Sequence, residues 1–458
     1  MKIVILGAGE VGRTVAQSLA SEENDITVVD RDEQLLRFLQ DRLDLRTVIG
    51  HAAYPETLIQ AGIEEADILL AVTNSDETNM VACQIAHLLY KTPTRLARIR
   101  SPNYLAYPEL FSTKGIAVNY LISPEQLVTT FIHHLIEQPG ALQILDFFRG
   151  AAQLVVVEVQ AGSTMSGMAL HHLPLCLPGV ETRLVASYRR GQVIVPDGAT
   201  VTEVGDEIFF LADSRDIAKV IGAFGQSQAP YHRIMIAGGG NVGKQLAERL
   251  QSGHRVLIIE RDAGRCRYLT ETLAASTVIL KGDAGDTDLL EEEGIAHTDV
   301  FCALTNDDED NILSATLAKR LGVRKTIAIV NSPSYVDLVC GSGIDIVVSP
   351  AQVIIGTLLT RIRRGDVEVV HSLRRGAAEA IELWVHGDDK TSKVIGRPLH
   401  RLSLPAGASI GAILRQGTLI FPHHDECLQS EDRIVLFLAD KGQIPAVERL
   451  FHVPLSFL

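Results

Sequence analysis

No apolar run in this chain approaches the roughly 20 residues needed to cross a bilayer. Membrane-spanning classes are therefore not expected. No cleavable leader is expected, since Met1 runs directly into the strand-like Lys2-Ile3-Val4-Ile5-Leu6, and a cytoplasmic location is expected. Cysteines are few: Cys83, Cys176, Cys266, Cys302, Cys340 and Cys427 lie scattered, with no two at the spacing of a zinc knuckle or redox motif. They read as buried apolar residues. Positive charge is in deficit, with 42 Lys and Arg against 56 Asp and Glu and a net charge of -14. That balance repels phosphate backbones and anionic headgroups, so neither nucleic acid binding nor direct lipid insertion is expected. No basic patch offsets it, since Arg361, Arg363 and Arg364 fall at a predicted helix end, where cations complement the backbone dipole. Three adjacent histidine pairs (His133-His134, His171-His172, His423-His424) have no companion at helical ligand spacing, and neighbouring side chains diverge. No metal is expected.

The chain does contain a repeat. KIVILGAGEVGRTVAQSLA from Lys2 is echoed by RIMIAGGGNVGKQLAERLQ from Arg233, and the copies stay in step at an offset near 231 residues. Asp30 matches Glu260, Gly50 matches Gly282, Thr73 matches Thr305, Ser101 matches Ser332 and Tyr104 matches Tyr335. Short apolar runs alternate with amphipathic stretches, the pattern of a doubly wound parallel sheet. Strands are predicted near 2–6, 26–29, 46–49, 68–72, 95–99 and 117–122, and again at 234–237, 256–259, 278–280, 300–304, 327–330 and 344–348.

Each sheet is followed by an apolar helix opening at Ser123-Pro124 or Ser349-Pro350, a natural helix start. A small strand-rich module comes next. In these modules Arg190-Gly191-Gln192-Val193-Ile194-Val195-Pro196 parallels the run from Arg415 to Pro422. The fold class is thus α/β, with two tandem Rossmann-like doubly wound parallel sheets, each followed by a crossover helix and a small module. The expected divisions are 1–123 (first nucleotide-binding domain), 124–142 (crossover helix), 143–227 (small domain), 231–349 (second nucleotide-binding domain), 350–369 (crossover helix) and 370–455 (small domain). The crossover helices carry Leu127, Phe131, Leu135, Val353, Leu358 and Leu359, faces suited to a core or an interface.

The candidate site lies at the two glycine turns, Gly7, Ala8, Gly9, Glu10, Val11, Gly12 and Gly238, Gly239, Gly240, Asn241, Val242, Gly243. In such a turn the first glycine allows the bend, the second lets backbone approach a pyrophosphate, and the third lets helix pack on sheet. Asp30 and Glu260 end the second strands, where a carboxylate accepts bonds from ribose hydroxyls and repels a 2′-phosphate. NAD and ATP or ADP share that ribose, so the acid does not separate them. The third strands end in Gly50-His51-Ala52 and Gly282-Asp283-Ala284, so the first copy has lost the acid Asp283. At the fourth strand ends, Thr73, Asn74, Thr305 and Asn306 are ligand candidates, and the acidic run after them reads as helix capping.

On the fifth strand, Arg98 and Arg100 stand where the second copy has Ile329 and Asn331. They are read either as partners of terminal phosphates, which the second crevice would then lack, or as solvated strand residues or inter-subunit ion pairs.

These paired glycine turns with Asp30 and Glu260, Gly282-Asp283-Ala284, the Thr-Asn segments, Ala97-Arg98-Ile99-Arg100-Ser101-Pro102 and the stretch from Ser372 to Ala380 resemble the regulator-of-potassium-conductance (RCK) family in its duplicated form. The resemblance covers essentially the whole chain. It implies RCK C-terminal-type α+β small modules and a subunit without an active site that binds NAD(H) and ATP or ADP. It also implies a homotetrameric ring on the inner face of the membrane, gating a membrane-embedded Trk potassium transporter. The rival readings are an NAD-dependent oxidoreductase, which needs a proton donor in the crevice, and a free-standing nucleotide sensor with a soluble partner.

Overall fold

The computed structural model describes residues 1–20, 24–112, 115–190, 192–194, 196–225, 229–339, 343–362, 367–373, 378–423 and 425–453. Cys340, Arg363, Arg364, His424, Val195 and the segment 374–377 lie outside the described residues. Strands of the first copy are β1 (Lys2–Leu6), β2 (Asp25–Asp30), β3 (Arg46–Ile49), β4 (Ile68–Ala71), β5 (Thr94–Arg98) and β6 (Tyr120–Ile122). Its helices are α1 (Glu10–Ala20), α2 (Glu33–Gln40), α3 (Pro55–Gln60), α4 (Asp76–Ile85), α5 (Pro102–Leu105) and the crossover helix α6 (Pro124–Glu137). The first small module holds β7 (Ala141–Phe147), β8 (Ala152–Glu158), α7 (Leu173–Cys176), β9 (Thr182–Arg189), β10 (Gln192–Ile194), β11 (Glu207–Asp213) and α8 (Ile217–Phe224).

The second copy repeats the plan. It has β12 (Arg233–Ala237), α9 (Asn241–Leu250), β13 (Arg255–Glu260), α10 (Ala263–Thr272), β14 (Val278–Lys281), α11 (Thr287–Glu292), β15 (Val300–Ala303), α12 (Asp308–Arg320), β16 (Lys325–Ile329), α13 (Pro333–Val339), β17 (Ile346–Val348) and the crossover helix α14 (Pro350–Ile362). Its small module is β18 (Val367–Leu373), β19 (Ala378–Trp384), β20 (Ala408–Arg415), β21 (Thr418–Ile420), β22 (Arg433–Leu438) and α15 (Ile444–Phe451).

Both large sheets are six-stranded, in the orders β3-β2-β1-β4-β5-β6 and β14-β13-β12-β15-β16-β17. Their recorded pairings are parallel, which explains the near-continuous apolar runs: strands buried on both faces do not alternate. The order reverses between β1 and β4 and between β12 and β15, and each reversal opens a crevice at the strand ends. The small sheets run β10-β9-β11-β8-β7 and β18-β19-β22-β20-β21, with antiparallel pairing.

Two sequence expectations shift. The first small sheet begins at Ala141, ahead of the expected 143, because Gln138-Pro139-Gly140 already breaks α6, with Gly140 at φ +95°; the second begins at Val367, ahead of the expected 370. The small modules also align one residue differently. Arg189, not Arg190, matches Arg415: Arg189 Nε donates to Asp206 Oδ1 at 2.8 Å and Arg415 Nε to Asp432 Oδ1 at 2.9 Å. Arg190 stands with Gln416 in the left-handed region, at φ 50° and 48°.

The core is crossed between the copies. Ile3, Ile5, Val11, Val15 and Leu19 of the first copy share one cluster with Ile354, Ile355, Leu358, Leu359 and Ile362 of α14 and with the second small module. Val128, Ile132, Leu135 and Ile136 of α6 share another with Ile234, Ile236, Leu246, Ala247 and Leu250 of the second copy. A third cluster joins the small modules, with Phe209 ring-packed on Phe437. Each crossover helix thus docks on the glycine-turn helix of the other copy. Leu127, Phe131 and Val353 are only partly buried and line a cavity of about 360 Å³ between α6 and α14.

Candidate functional site

The glycine turns follow from steric necessity. Gly7 and Gly238 take φ +107° and +102°. A Cβ on Gly12 would lie 1.9 Å from the Gly7 carbonyl oxygen, and one on Gly243 would lie 2.1 Å from that of Gly238. By contrast, a Cβ on Gly9 or Gly240 would meet nothing within 4 Å. Those two positions face open space at the starts of α1 and α9, where first-turn amides have no intrahelical acceptor.

Asp30 and Glu260 grip the turns themselves. Ala8 N donates to Asp30 Oδ2 at 2.6 Å, and Gly239 N donates to Glu260 Oε2 at 2.8 Å. The other carboxylate oxygens accept from Asp32 N and Asp262 N, both at 2.9 Å. A carboxylate oxygen has a second lone pair, so a ribose hydroxyl can be accommodated while each acid still holds its turn.

The first crevice has a volume of about 780 Å³, and Gly7, Gly9, Glu10, Val11, Asp30, Thr73, Asn74 and Arg98 line it. Asn331, Pro350, Ala351 and Ile354 of the second copy close its far side. Ala8 and Gly12 support the turn from beneath. Arg98 is half buried, with an Nε that has no partner. Burial and the neighbouring Arg100 lower its pKa, against the pull of Glu125 and Asp76. Arg100 does not line the crevice: its Nε lies 3.2 Å from Glu125 Oε1 on α6, an ion pair within the chain.

The second crevice, about 900 Å³, is lined by Gly238, Gly240, Glu260, Asp283, Thr305 and Asn306. Gly239, Asn241, Val242 and Gly243 form the rest of its turn. Here one expectation is corrected, because this crevice does hold guanidinium charge in Arg261 and Arg320. Arg261 Nη2 lies 2.8 Å from both oxygens of Asp283, and its Nη1 lies 2.7 Å from Asp310 Oδ2. Hydrogen bonding to Arg261, helped by the Gly285 amide, holds the Asp283 carboxyl below its ordinary range.

His51 reproduces one of the contacts of Asp283, the acceptance of a loop amide. Ala53 N donates to His51 Nδ1 at 3.1 Å, just as Gly285 N donates to Asp283 Oδ1 at 2.8 Å. The ring stacks on Tyr54 at 4.4 Å.

Sequence reasoning missed the residues that brace the fourth strand end. Asn79 is fully buried; its Oδ1 accepts from Thr73 N at 3.0 Å and Thr73 Oγ1 at 2.7 Å, and its Nδ2 donates to Arg98 O at 2.9 Å. Asn311 repeats this with Thr305 and Ile329 O. The acidic run is more than capping. Ser75 and Asp307 are the caps, while Asp76 accepts from the amides of Arg100 and Ser101, and Asp308 from those of Asn331 and Ser332. Ser123 does not cap α6, and its Oγ is buried without a partner. Of the cysteines, Cys83 and Cys302 are buried, and Cys176, Cys266 and Cys427 are partly exposed.

Comparison with known proteins matches this organisation. The family model of the TrkA-N domain fits residues 3–124 and 234–350, and that of the TrkA-C domain fits 154–225 and 389–452. The Trk system potassium uptake protein TrkA of Halomonas elongata is 52% identical over 457 residues, covering 100% of both chains. That of Vibrio alginolyticus is 49% identical over 459 residues, again covering 100% of both. Among solved structures, the GsuK RCK domain superposes with a TM-score of 0.62 at 20% identity, covering 98% of this chain and 94% of that one. The GsuK channel bound to NAD gives 0.61 at 20% identity, covering 98% and 78%. At that identity the likeness concerns the fold.

Proposed function

The chain belongs to the TrkA family of Trk-system potassium uptake proteins, and on that premise we propose that it is a regulatory subunit that gates a membrane-embedded potassium transporter in response to nucleotides. The carrying observation is the crossed docking of α6 and α14, because it seats each crossover helix on the helix that opens the other copy's crevice, α14 on α1 and α6 on α9. Pro350, Ala351 and Ile354 of α14 line the first crevice directly. A ligand there bears on the helix that joins the two copies. Nucleotides shift such an assembly only through unequal affinity for two arrangements. In a homotetrameric ring of eight crevices, about 1 kcal/mol of difference per site exceeds the roughly 5.5 kcal/mol that inverts a 1:99 equilibrium.

The charge around the crevices supports different ligands. The first sets Arg31 and Arg98 against Glu10, Asp30 and Asp32, and Arg98 has an unpartnered Nε. We assign ATP or ADP to it, with Arg98 meeting the terminal phosphates. The second sets Arg261 and Arg320 against Glu260, Asp283, Asp286, Asp307 and Asp310. That acidity suits the smaller charge of NAD(H), the dinucleotide found on the same fold in the GsuK channel. The glycine turns, Asp30, Glu260, Thr73, Asn74, Thr305 and Asn306 serve as the common binding elements.

Exposed apolar residues on the outer helices support self-assembly. They are Val81, Leu88 and Leu89 in the first copy and Leu313 and Leu338 in the second. No helix among the described residues is long and apolar enough to cross a membrane, so attachment is assigned to the partner.

The test is potassium flux into vesicles holding the Trk transporter, with and without this chain, in ATP, ADP or NADH. Nucleotides should alter flux only when the chain is present. Flux indifferent to the chain would overturn the reading.

A further inference from the structure

The crossed docking of α6 and α14 leaves a cavity of about 360 Å³ between the two helices. It takes equivalent positions from both copies: Leu127 and Val353, Phe131 and Thr357, Asp146 and Ser372 all line it. The cavity therefore straddles the seam between the repeats, and it shares no lining residue with either glycine-turn crevice. Close-packed interiors hold few voids larger than a water molecule, whose share of liquid volume is about 30 Å³. This one falls in the range of about 300–1,000 Å³ that small-molecule sites occupy. Divergence of the copies helps to keep it open, because α6 places Phe131 there and α14 offers only Thr357 at the matching position.

Its walls have a definite chemistry. Leu127, Phe131, Ile144, Ile346 and Val348 supply apolar surface, and Phe131 and Val353 are only partly buried by the chain. Among the described residues no lysine or arginine lines the cavity, so nothing there balances a phosphate or a carboxylate. The one acid in the wall is Asp146. Its Oδ1 accepts from Gln153 Nε2 at 2.8 Å, whereas no hydrogen bond among the described residues reaches Oδ2, and His134 Nδ1 stands off at 3.8 Å.

On β18, His371 Nε2 donates to Asp146 O at 3.0 Å, and the ring packs edge-on against Phe147 at 5.0 Å. Burial lowers the pKa of this imidazole, against the pull of the Asp146 carbonyl and carboxylate, so the ring is neutral and its Nδ1 is an acceptor. A carboxylate oxygen and an imidazole nitrogen, both acceptors, thus border an apolar hollow.

We propose that this cavity binds a small organic monocation with an apolar body, an amine whose ammonium meets Asp146 and whose ring or chain lies against Phe131 and Val353. A carboxylate at the edge of apolar surface selects for a charged donor, since any other head group leaves it uncompensated. The occupant sits between the helices that dock on α1 and α9, so it favours whichever arrangement keeps the cavity open. Only that effect on the crevices rests on the function proposed above; the binding itself does not.

Calorimetric titration of the full chain at pH 8 with tryptamine, tryptophol and indole-3-acetate tests it, because the three share a ring and differ in head-group charge. One tryptamine should bind per chain, at least about tenfold more tightly than tryptophol, with indole-3-acetate the weakest. Asp146→Asn, which keeps an acceptor for Gln153, should reduce tryptamine to the affinity of tryptophol. Thr357→Phe, which installs the residue of the sister helix, should fill the hollow and abolish binding of both. Val353→Trp is the alternative if that variant folds poorly. Absence of tryptamine binding to the wild-type chain, a preference that survives Asp146→Asn, or binding that survives both filling substitutions in folded chains would overturn the proposal. ATP and NADH titrations of the same samples separate the two readings: a chain that takes tryptamine but neither nucleotide defeats the nucleotide assignment and leaves this site standing.

Discussion

Gly9 and Gly12 stand three residues apart and impose opposite constraints. A Cβ on Gly12 would overlap the Gly7 carbonyl at 1.9 Å, whereas one on Gly9 meets no atom within 4 Å. Gly12→Ala should therefore cost about 3 kcal/mol of stability, since neither backbone can yield without unseating α1. Gly9→Asp should leave the melting temperature within a few degrees of wild type while abolishing ligand binding in the first crevice, where it puts a carboxylate against phosphate. Thermal unfolding and calorimetry distinguish the two. Arg98→Ala should weaken ATP by at least about tenfold, the loss expected for one charge-assisted contact, and NADH much less. Equal losses would remove Arg98 from the phosphate role.

The turn glycines, Asp30, Glu260 and Asp283 were legible in the sequence because their spacing is local. Asn79 and Asn311 were not, because they act across to the next strand, at Arg98 O and Ile329 O. His51 read as a loss of acid, yet its ring nitrogen takes the same amide as the carboxylate it replaces. Arg261 belongs to no motif in the sequence, and the fold places it between Asp283 and Asp310.

At the scale of elements, six parallel strands per copy were readable from unbroken apolar runs, and the antiparallel small sheets only approximately. Periodicity gave α6 and α14 apolar faces but not their partners, because choosing α9 and α1 of the opposite copy requires the chain to fold back on its own repeat. Leu359 is fully buried in the α14 seam. Leu359→Ala should cost about 2–5 kcal/mol. It should also blunt the effect of ATP on the rest of the molecule, read as the ATP-induced change in exchange of α6. Unchanged ATP-induced exchange would show that α14 is not the link.

At the scale of the whole molecule, duplication supplies two crevices and divergence makes them unequal. One is closed by the other copy and holds Arg98; the other is acidic and latched by Arg261. A regulator of this kind binds NADH without consuming it, and prolonged incubation with candidate carbonyl substrates should leave its absorbance unchanged. Steady oxidation would restore the dehydrogenase reading. The most direct test of unequal paired sites is calorimetric titration of the full chain with ATP and NADH, alone and in sequence. The account predicts one ATP and one NADH bound per chain without mutual displacement, with only the ATP isotherm lost in Gly9→Asp. Competition for a single site, or loss of both isotherms in a folded Gly9→Asp variant, would contradict it.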